Sequence, residues 1–88
     1  MTPSARITGS GSYLPARILS NKDLEQIVDT TEDWIFSRSG IRQRHIADED
    51  EFTSDLALAA SREALQSAGR SASEVDLIVV ATTTADQV

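Results

Sequence analysis

Several residue types that define protein classes are missing or scarce in this sequence of 88 residues. It contains no cysteine, so no disulfide framework supports what must be a small core. The single histidine, His45, has neither a cysteine nor a second histidine to pair with, and no Gly-x-Ser-x-Gly motif is present. Aromatic residues amount to 5%, with four glycines and two prolines, a composition unlike that of collagen-like or low-complexity chains. We therefore expect a globular chain of marginal stability without a complete pair of nucleophile and base.

Positive charge and long apolar runs are scarce as well. Eight Lys and Arg stand against fourteen Asp and Glu, which gives a net charge of -6. This balance argues against bulk attraction to nucleic acid or to an anionic membrane, so any phosphate site must be local. No apolar run approaches the roughly 20 residues that span a bilayer, and the first residues lack the layout of a signal peptide. These features predict a cytoplasmic protein.

The apolar pattern predicts three helices. The first is capped by Ser20 or Asn21 and continues to Val28, and the second runs from a Thr-x-x-Asp capping box at residues 30–33 to Gly40. The third and longest runs from a cap at Thr53 toward Gly69. One face of the third helix is apolar and rich in alanine, which allows close approach of a sheet: Leu56, Ala59 or Ala60, Ala64, Leu65 and Ala68.

Two strands are predicted to flank these helices, giving a strand-helix-helix-helix-strand segment of the α/β class. One begins at Arg6 and passes into a turn that contains Gly9 and Gly11. The other covers residues 75–82, a nearly continuous apolar run typical of a parallel strand covered on both faces. Residues 15–51 then form an insertion, with a weaker extended segment at residues 41–46. Because such a strand needs neighbours on both edges, we expect the chain to be the front part of a larger α/β domain.

A basic cluster beside the only tryptophan is the most informative candidate site. Trp34 and Arg38 are four residues apart, so they share one face of the second helix, and Arg42 and Arg44 follow. An indole that stacks on a base and guanidinium groups that hold phosphates would suit a ligand containing a nucleotide. Alternatively, Trp34 is a core residue and the arginines pair with nearby carboxylates. The residues alone leave both interpretations open.

Other motifs are less specific. Gly9-x-Gly11 does not complete a dinucleotide fingerprint, because Leu occupies position 14 and Pro15 follows. The acidic run at residues 48–51 lacks the glycine and the closing glutamate of a calcium loop, so we predict a solvated turn. The threonines at residues 82–84 follow the predicted strand and could line a pocket at its carboxyl end.

Taken in order, several motifs resemble the N-terminal part of the β-ketoacyl-acyl-carrier-protein synthase III family. The most specific is Trp34-Ile35-x-x-Arg38-x-Gly40-Ile41-x-x-Arg44. The others are Gly9-Ser10-Gly11-Ser12-Tyr13-Leu14-Pro15, Asn21-Lys22-Asp23-Leu24, Val28-Asp29-Thr30 and Leu77-Ile78-Val79-Val80-Ala81-Thr82-Thr83. The resemblance spans nearly the whole chain.

The resemblance implies a thiolase-like fold, layered α/β/α/β/α and homodimeric, of which residues 1–88 form the first part and no complete domain. It implies an acyltransferase that condenses acetyl or another acyl coenzyme A with malonyl-acyl carrier protein and starts fatty-acid synthesis. The family's catalytic cysteine, histidine and asparagine would lie beyond Val88, so the chain alone is expected to be inactive. No cofactor or metal is implied, since coenzyme A enters as part of the substrate.

The resemblance also implies roles for particular residues. Trp34 and Arg38 match the positions that sandwich the adenine of coenzyme A, and Thr30 matches a neighbouring contact. Thr83 matches a position beside the acyl pocket. Arg42 and Arg44 would contribute to an electropositive mouth that attracts the phosphorylated or acidic carrier. His45 matches no catalytic position.

Two alternatives to a part of an acyltransferase remain open. The chain could be a small nucleotide-binding or interaction module that uses Trp34 and Arg38. It could also be an inactive truncated fragment whose apolar residues 77–81 are exposed as a sheet edge.

Overall fold

The computed structural model describes residues 3–85. The elements are, in chain order, β1 (Arg17–Ser20), α1 (Asn21–Glu25), α2 (Glu32–Ser39), β2 (Gln43–Ile46), α3 (Thr53–Ala68) and a 3-10 helix (Ala72–Glu74). The chain divides into two compact units. Residues 14–50 form one, here called the inserted unit, and the described residues before and after them form the other, the outer unit. This division confirms the insertion predicted at residues 15–51.

The inserted unit is built on a two-stranded antiparallel sheet. Strand β1 pairs with β2 in a register that places Arg17 opposite Ile46 and Ser20 opposite Gln43. The extended segment predicted at residues 41–46 is thus confirmed as β2. Strand β1 was not predicted, because it is defined by its pairing with β2, whose residues are distant in the chain.

Helix α1 begins at a capping box, as predicted for Ser20. The Ser20 hydroxyl accepts a hydrogen bond from the Asp23 N–H, and the Asp23 carboxylate accepts one from the Ser20 N–H. The predicted continuation to Val28 is wrong, since α1 ends at Glu25 and both Ile27 and Val28 are exposed. These β-branched residues have low helix propensity, and no neighbouring surface buries them.

Helix α2 confirms the predicted second helix, with its cap shifted by one residue. The Thr31 hydroxyl, rather than that of Thr30, accepts the hydrogen bond from the Trp34 N–H. The helix ends at Gly40, whose φ of 72° lies in the left-handed region that glycine adopts without steric cost.

Helix α3 dominates the outer unit and confirms the longest predicted helix. Its cap is Phe52 rather than Thr53, and the Asp55 carboxylate accepts a hydrogen bond from the Phe52 N–H. It ends at Gly69, which also has a positive φ. The predicted inward face is half-buried along its length: Leu56, Ala59, Ala60, Ala64, Leu65 and Ala68.

Against that face lies the segment of Gly9 and Gly11, which is not a strand as predicted. A Cβ atom on Gly9 would come 2.6 Å from the Ala64 carbonyl oxygen. A Cβ on Gly11 would overlap the backbone of Ala60 and Ala64. The two glycines therefore permit direct packing of this segment on the alanine face of α3.

The predicted strand at residues 75–82 is likewise not formed. No strand of the described chain pairs with this segment, and its side chains are exposed, at 79% for Leu77 and 83% for Val79. The expected strand-helix-helix-helix-strand order is therefore corrected to strand, helix, helix, strand, helix, followed by the 3-10 helix. A parallel strand is stable only when both neighbours and covering layers are present, and residues 3–85 do not supply them.

Burial is slight throughout the described part of the chain. Pro15 and Asn21 are its only buried residues, and no large hydrophobic side chain is buried. Within residues 3–85, no helix has the length and hydropathy required to cross a membrane.

Candidate functional site

Trp34 and Arg38 form a stacked pair on the exposed face of α2. The guanidinium carbon of Arg38 lies 5.3 Å from the centroid of the Trp34 ring, within range of a cation–π contact. Trp34 is 57% exposed, so it is not a core residue of this structure. The helical spacing predicted that the two side chains share a face, and the structure confirms it.

A cleft of about 270 Å³ opens beside this pair. Its walls are Asp29, Thr30, Thr31 and the Trp34 ring. Thr30 is half-buried, and its N–H donates to the Val28 carbonyl, which fixes the turn that enters α2. The cleft thus joins a flat aromatic surface to hydroxyl and carboxylate groups, a combination suited to a planar ring with polar edges.

Among the residues that the structure describes, no carboxylate forms an ion pair with Arg38 or Arg42. In the part of the chain that the structure describes, Arg70 and Glu74 form the one ion pair. The Arg42 guanidinium lies 4.0 Å from the centroid of the Phe36 ring. Arg38 and Arg42 therefore both stack on aromatic rings of α2 and keep their positive charge available at an exposed surface.

Arg44 has a different environment from Arg38 and Arg42. It is half-buried, and its guanidinium donates to the Leu19 carbonyl and to the Asn21 Oδ1 atom. These bonds hold the inserted unit together. The role of Arg44 at an electropositive mouth stays a prediction.

The other predicted residues, Thr83 and His45, do not line the Trp34 cleft. Thr83 is exposed and belongs to the outer unit, where the Thr82 and Thr84 hydroxyls are 3.2 Å apart. His45 Nδ1 is 2.6 Å from the Pro15 carbonyl oxygen, to which it donates, consistent with a structural residue. No group of metal-ligating side chains occurs among the described residues.

Sequence reasoning missed Asn21, the most deeply buried residue of the inserted unit, with 1% of its surface exposed. The sequence predicted it as an alternative helix cap and included it in the Asn21-Lys22-Asp23-Leu24 motif, without a role at the site. Its position just after the Ser20 cap was the one available signal, because nothing local indicates that residues 41–44 fold back onto it.

No protein-family model matches the chain. Curated relatives do match over nearly all of it. The chain is 61% identical over 84 residues to β-ketoacyl-acyl-carrier-protein synthase III of Thiobacillus denitrificans, covering 96% of this chain and 26% of the relative. It is 58% identical over 82 residues to the protein of the same name from Xanthomonas oryzae, covering 93% and 25%.

Solved structures give the same result. The 3-oxoacyl-acyl-carrier-protein synthase III of Aquifex aeolicus superposes with a TM-score of 0.74 at 48% identity, over 80% of this chain and 22% of that one. The corresponding enzyme of Pseudomonas aeruginosa gives 0.65 at 54% identity, over 72% and 20%. These matches confirm the α/β class and the thiolase-like fold. The chain is thus homologous to β-ketoacyl-acyl-carrier-protein synthase III, and it spans about a quarter of the length of the curated relatives it matches.

Proposed function

We propose that this chain supplies part of the coenzyme A site of a β-ketoacyl-acyl-carrier-protein synthase III. Such an acyltransferase condenses acetyl or acyl coenzyme A with malonyl-acyl carrier protein and initiates fatty-acid synthesis. The observation that carries the proposal is the exposed Trp34 and Arg38 pair beside the cleft of Thr30.

Trp34, Arg38 and Thr30 each suit one part of the ligand. The exposed indole of Trp34 offers a flat surface on which adenine stacks, and Arg38 adds a positive charge above the same ring. Thr30 lines the cleft, and its hydroxyl is a group that can hydrogen-bond the polar edge of the base. A net charge of -6 repels phosphates in general, so binding depends on this local cluster.

Arg42 extends the positive surface toward the carrier protein. Its side chain is held over Phe36, and it lies four residues beyond Arg38. A carrier that is acidic or bears a phosphate gains long-range attraction from exposed positive charge. In the same proposal, Thr83 lies near the acyl pocket and Arg44 supports the site from within the inserted unit.

The nucleophile must come from outside these residues. The chain contains no cysteine, and the Nδ1 atom of its only histidine is hydrogen-bonded to the Pro15 carbonyl. We therefore expect the 88 residues by themselves not to catalyse acyl transfer.

The proposal is tested in a chimera in which this chain replaces the matching segment of the Thiobacillus denitrificans relative. We expect Trp34→Ala to raise the KM for acetyl coenzyme A about 5- to 150-fold, because stacking on a base contributes about 1–3 kcal/mol. Arg38→Ala should act in the same direction, with little change in the KM for malonyl-acyl carrier protein.

Arg62→Ala is the matched control, because Arg62 is exposed on α3 in the outer unit. It should leave both KM values unchanged. A coenzyme A dependence unaltered by both Trp34→Ala and Arg38→Ala would overturn the proposal. Titrating the 88-residue chain with coenzyme A, followed by fluorescence of its single tryptophan, separates this function from that of a stand-alone nucleotide-binding module. Coenzyme A should quench the fluorescence of Trp34 fully in the 88-residue chain only if that chain is a stand-alone nucleotide-binding module.

A further inference from the structure

Asn21 is the one polar residue that the described part of the chain buries. Its Nδ2 atom donates to the Ile41 carbonyl at 2.7 Å, and its backbone N–H donates to the Arg42 carbonyl at 3.0 Å. Its Oδ1 atom accepts a hydrogen bond from Arg44 Nη2 at 2.8 Å. A buried amide persists only where such partners replace water, so these contacts act as a unit.

Arg44 extends this set of bonds to the opposite strand. Its Nη1 atom donates to the Leu19 carbonyl at 3.3 Å. We call these bonds of Asn21 and Arg44 the Asn21–Arg44 network. The network connects β1 and the first residue of α1 to β2 and to the stretch between α2 and β2. The described residues of the inserted unit form no apolar core that could make this connection instead.

The stretch that leaves α2 is held from both sides. On the helix side, the Ser39 hydroxyl donates to the Ile35 carbonyl and accepts from the Ile41 N–H. On the other side, Asn21 holds the Ile41 carbonyl. Ile41 is therefore fixed at its N–H by α2 and at its carbonyl by the network. The network thus holds the C-terminal end of α2, while the Glu32 N–H bond to the Glu25 carboxylate holds the start of the helix.

We propose that Asn21 and Arg44 are positioning residues for the coenzyme A site. By fixing the exit of α2 they orient the helix that presents Trp34 and Arg38, and they hold the backbone of Arg42, which lies over Phe36. This inference rests on the proposed function, since it names the residues that set the geometry of that site.

The test uses the same chimera. Asn21→Ala removes both side-chain hydrogen bonds of Asn21. Arg44→Lys keeps the positive charge but lacks the two guanidinium nitrogens that donate to Leu19 and Asn21 at the same time. We expect each to raise the KM for acetyl coenzyme A about tenfold, as supporting hydrogen bonds do for a binding site. The kcat should stay within about twofold and the KM for the carrier should rise less, because neither residue touches reacting atoms.

Loss of stability alone is controlled with Gly11→Ala, a destabilising change in the outer unit. It should lower the melting temperature while the KM for acetyl coenzyme A stays unchanged. If Trp34→Ala and Arg38→Ala raise this KM but Asn21→Ala and Arg44→Lys do not, the positioning role is overturned and the proposed function stands. If none of the four changes it, both are overturned. Should Asn21→Ala fail to fold, the conservative Arg44→Lys variant decides the outcome.

Discussion

Gly11 and Gly40 are glycines for different physical reasons. Gly11 has no room for a Cβ atom, because the backbone of Ala60 and Ala64 occupies that space. Gly40 has nothing within 4 Å of the same position, but its φ of 72° disfavours any other residue. At Gly11 the requirement comes from packing between distant parts of the chain, whereas at Gly40 it is local to the end of α2.

Gly11→Ala should therefore destabilise the chimera by overpacking. We expect the free energy of unfolding to fall by about 1–3 kcal/mol, because the obstructing atoms belong to the backbone of α3 and cannot rotate away. Urea denaturation measures the change. Ser12→Ala is the control, since Ser12 is exposed in the same segment and its truncation adds no atoms. Equal stability of the two variants would contradict this account of the contact.

The residues of the candidate site show how far spacing alone is informative. The interval of four between Trp34 and Arg38 was sufficient to place both on one face of α2. It was not sufficient to decide whether that face is buried, and the alternative of a core tryptophan remained open until the exposure of Trp34 was known. Similarly, Arg42 and Arg44 look equivalent in the sequence, yet only Arg44 is bonded to Asn21.

At the scale of elements, helix α1 depends on its cap more than on packing. It has five residues, too few to be stable from propensity alone. The hydrogen bond from the Ser20 N–H, and secondly that with the Ser20 hydroxyl, lowers the pKa of Asp23 below its ordinary value of 3.8. The ionised carboxylate also lies in the first turn, where the helix dipole favours negative charge.

This shift predicts how α1 responds to acid. Because the pKa of Asp23 is lower in the folded chain than in the unfolded one, its capping contribution is present at neutral pH. That contribution is lost as the pH falls through the lowered pKa. Carboxyl chemical shifts followed by NMR should show Asp23 titrating below 3.8, with the Ser20 amide resonance moving in step. In Asp23→Asn the Ser20 resonance should no longer follow this titration. A midpoint at or above 3.8 would show that the cap does not stabilise the carboxylate.

The other elements were predictable to the extent that their signals are local. Helix α3 was recognised from its periodic apolar face and from Gly69, and α2 was recognised from Gly40. The caps were displaced by one residue, because adjacent residues compete for the same N–H groups. Strand β1 was missed, since its pairing with β2 joins residues that are distant in the chain, from Ser20 with Gln43 to Arg17 with Ile46.

At the scale of the whole molecule, the exposed apolar segment at residues 75–80 is the dominant feature. Its large hydrophobic side chains are all exposed, from 42% for Val75 to 83% for Val79. Apolar surface of this kind marks an interface or a liability for aggregation. The apolar residues that predicted a strand covered on both faces are thus present, but no other described part of the chain covers them.

Val79→Lys should have opposite effects in two settings. In the 88-residue chain alone, the added charge should reduce self-association, measured by sedimentation as a function of concentration, because it interrupts an uncharged β-prone run. In the chimera, the same substitution should lower the melting temperature, because a lysine would replace a residue that the completed sheet buries. Ser73→Lys adds the same charge at an exposed position and should change neither measurement. If Val79→Lys is neutral in the chimera, the segment is not a buried strand there.

Local features of the sequence were enough to define the helix ends at Gly40 and Gly69, the common face of Trp34 and Arg38, and the inserted unit between the outer segments. Each of these follows from residues close together in the chain or from a change in pattern along it. Packing alone decided that Gly9 and Gly11 lie on α3, that Asn21 is buried beneath residues 41–44, and that residues 75–80 are exposed. The physical reason is that burial and long-range hydrogen bonds depend on which surfaces meet, and a linear pattern states what a segment can bury but not whether a partner is there.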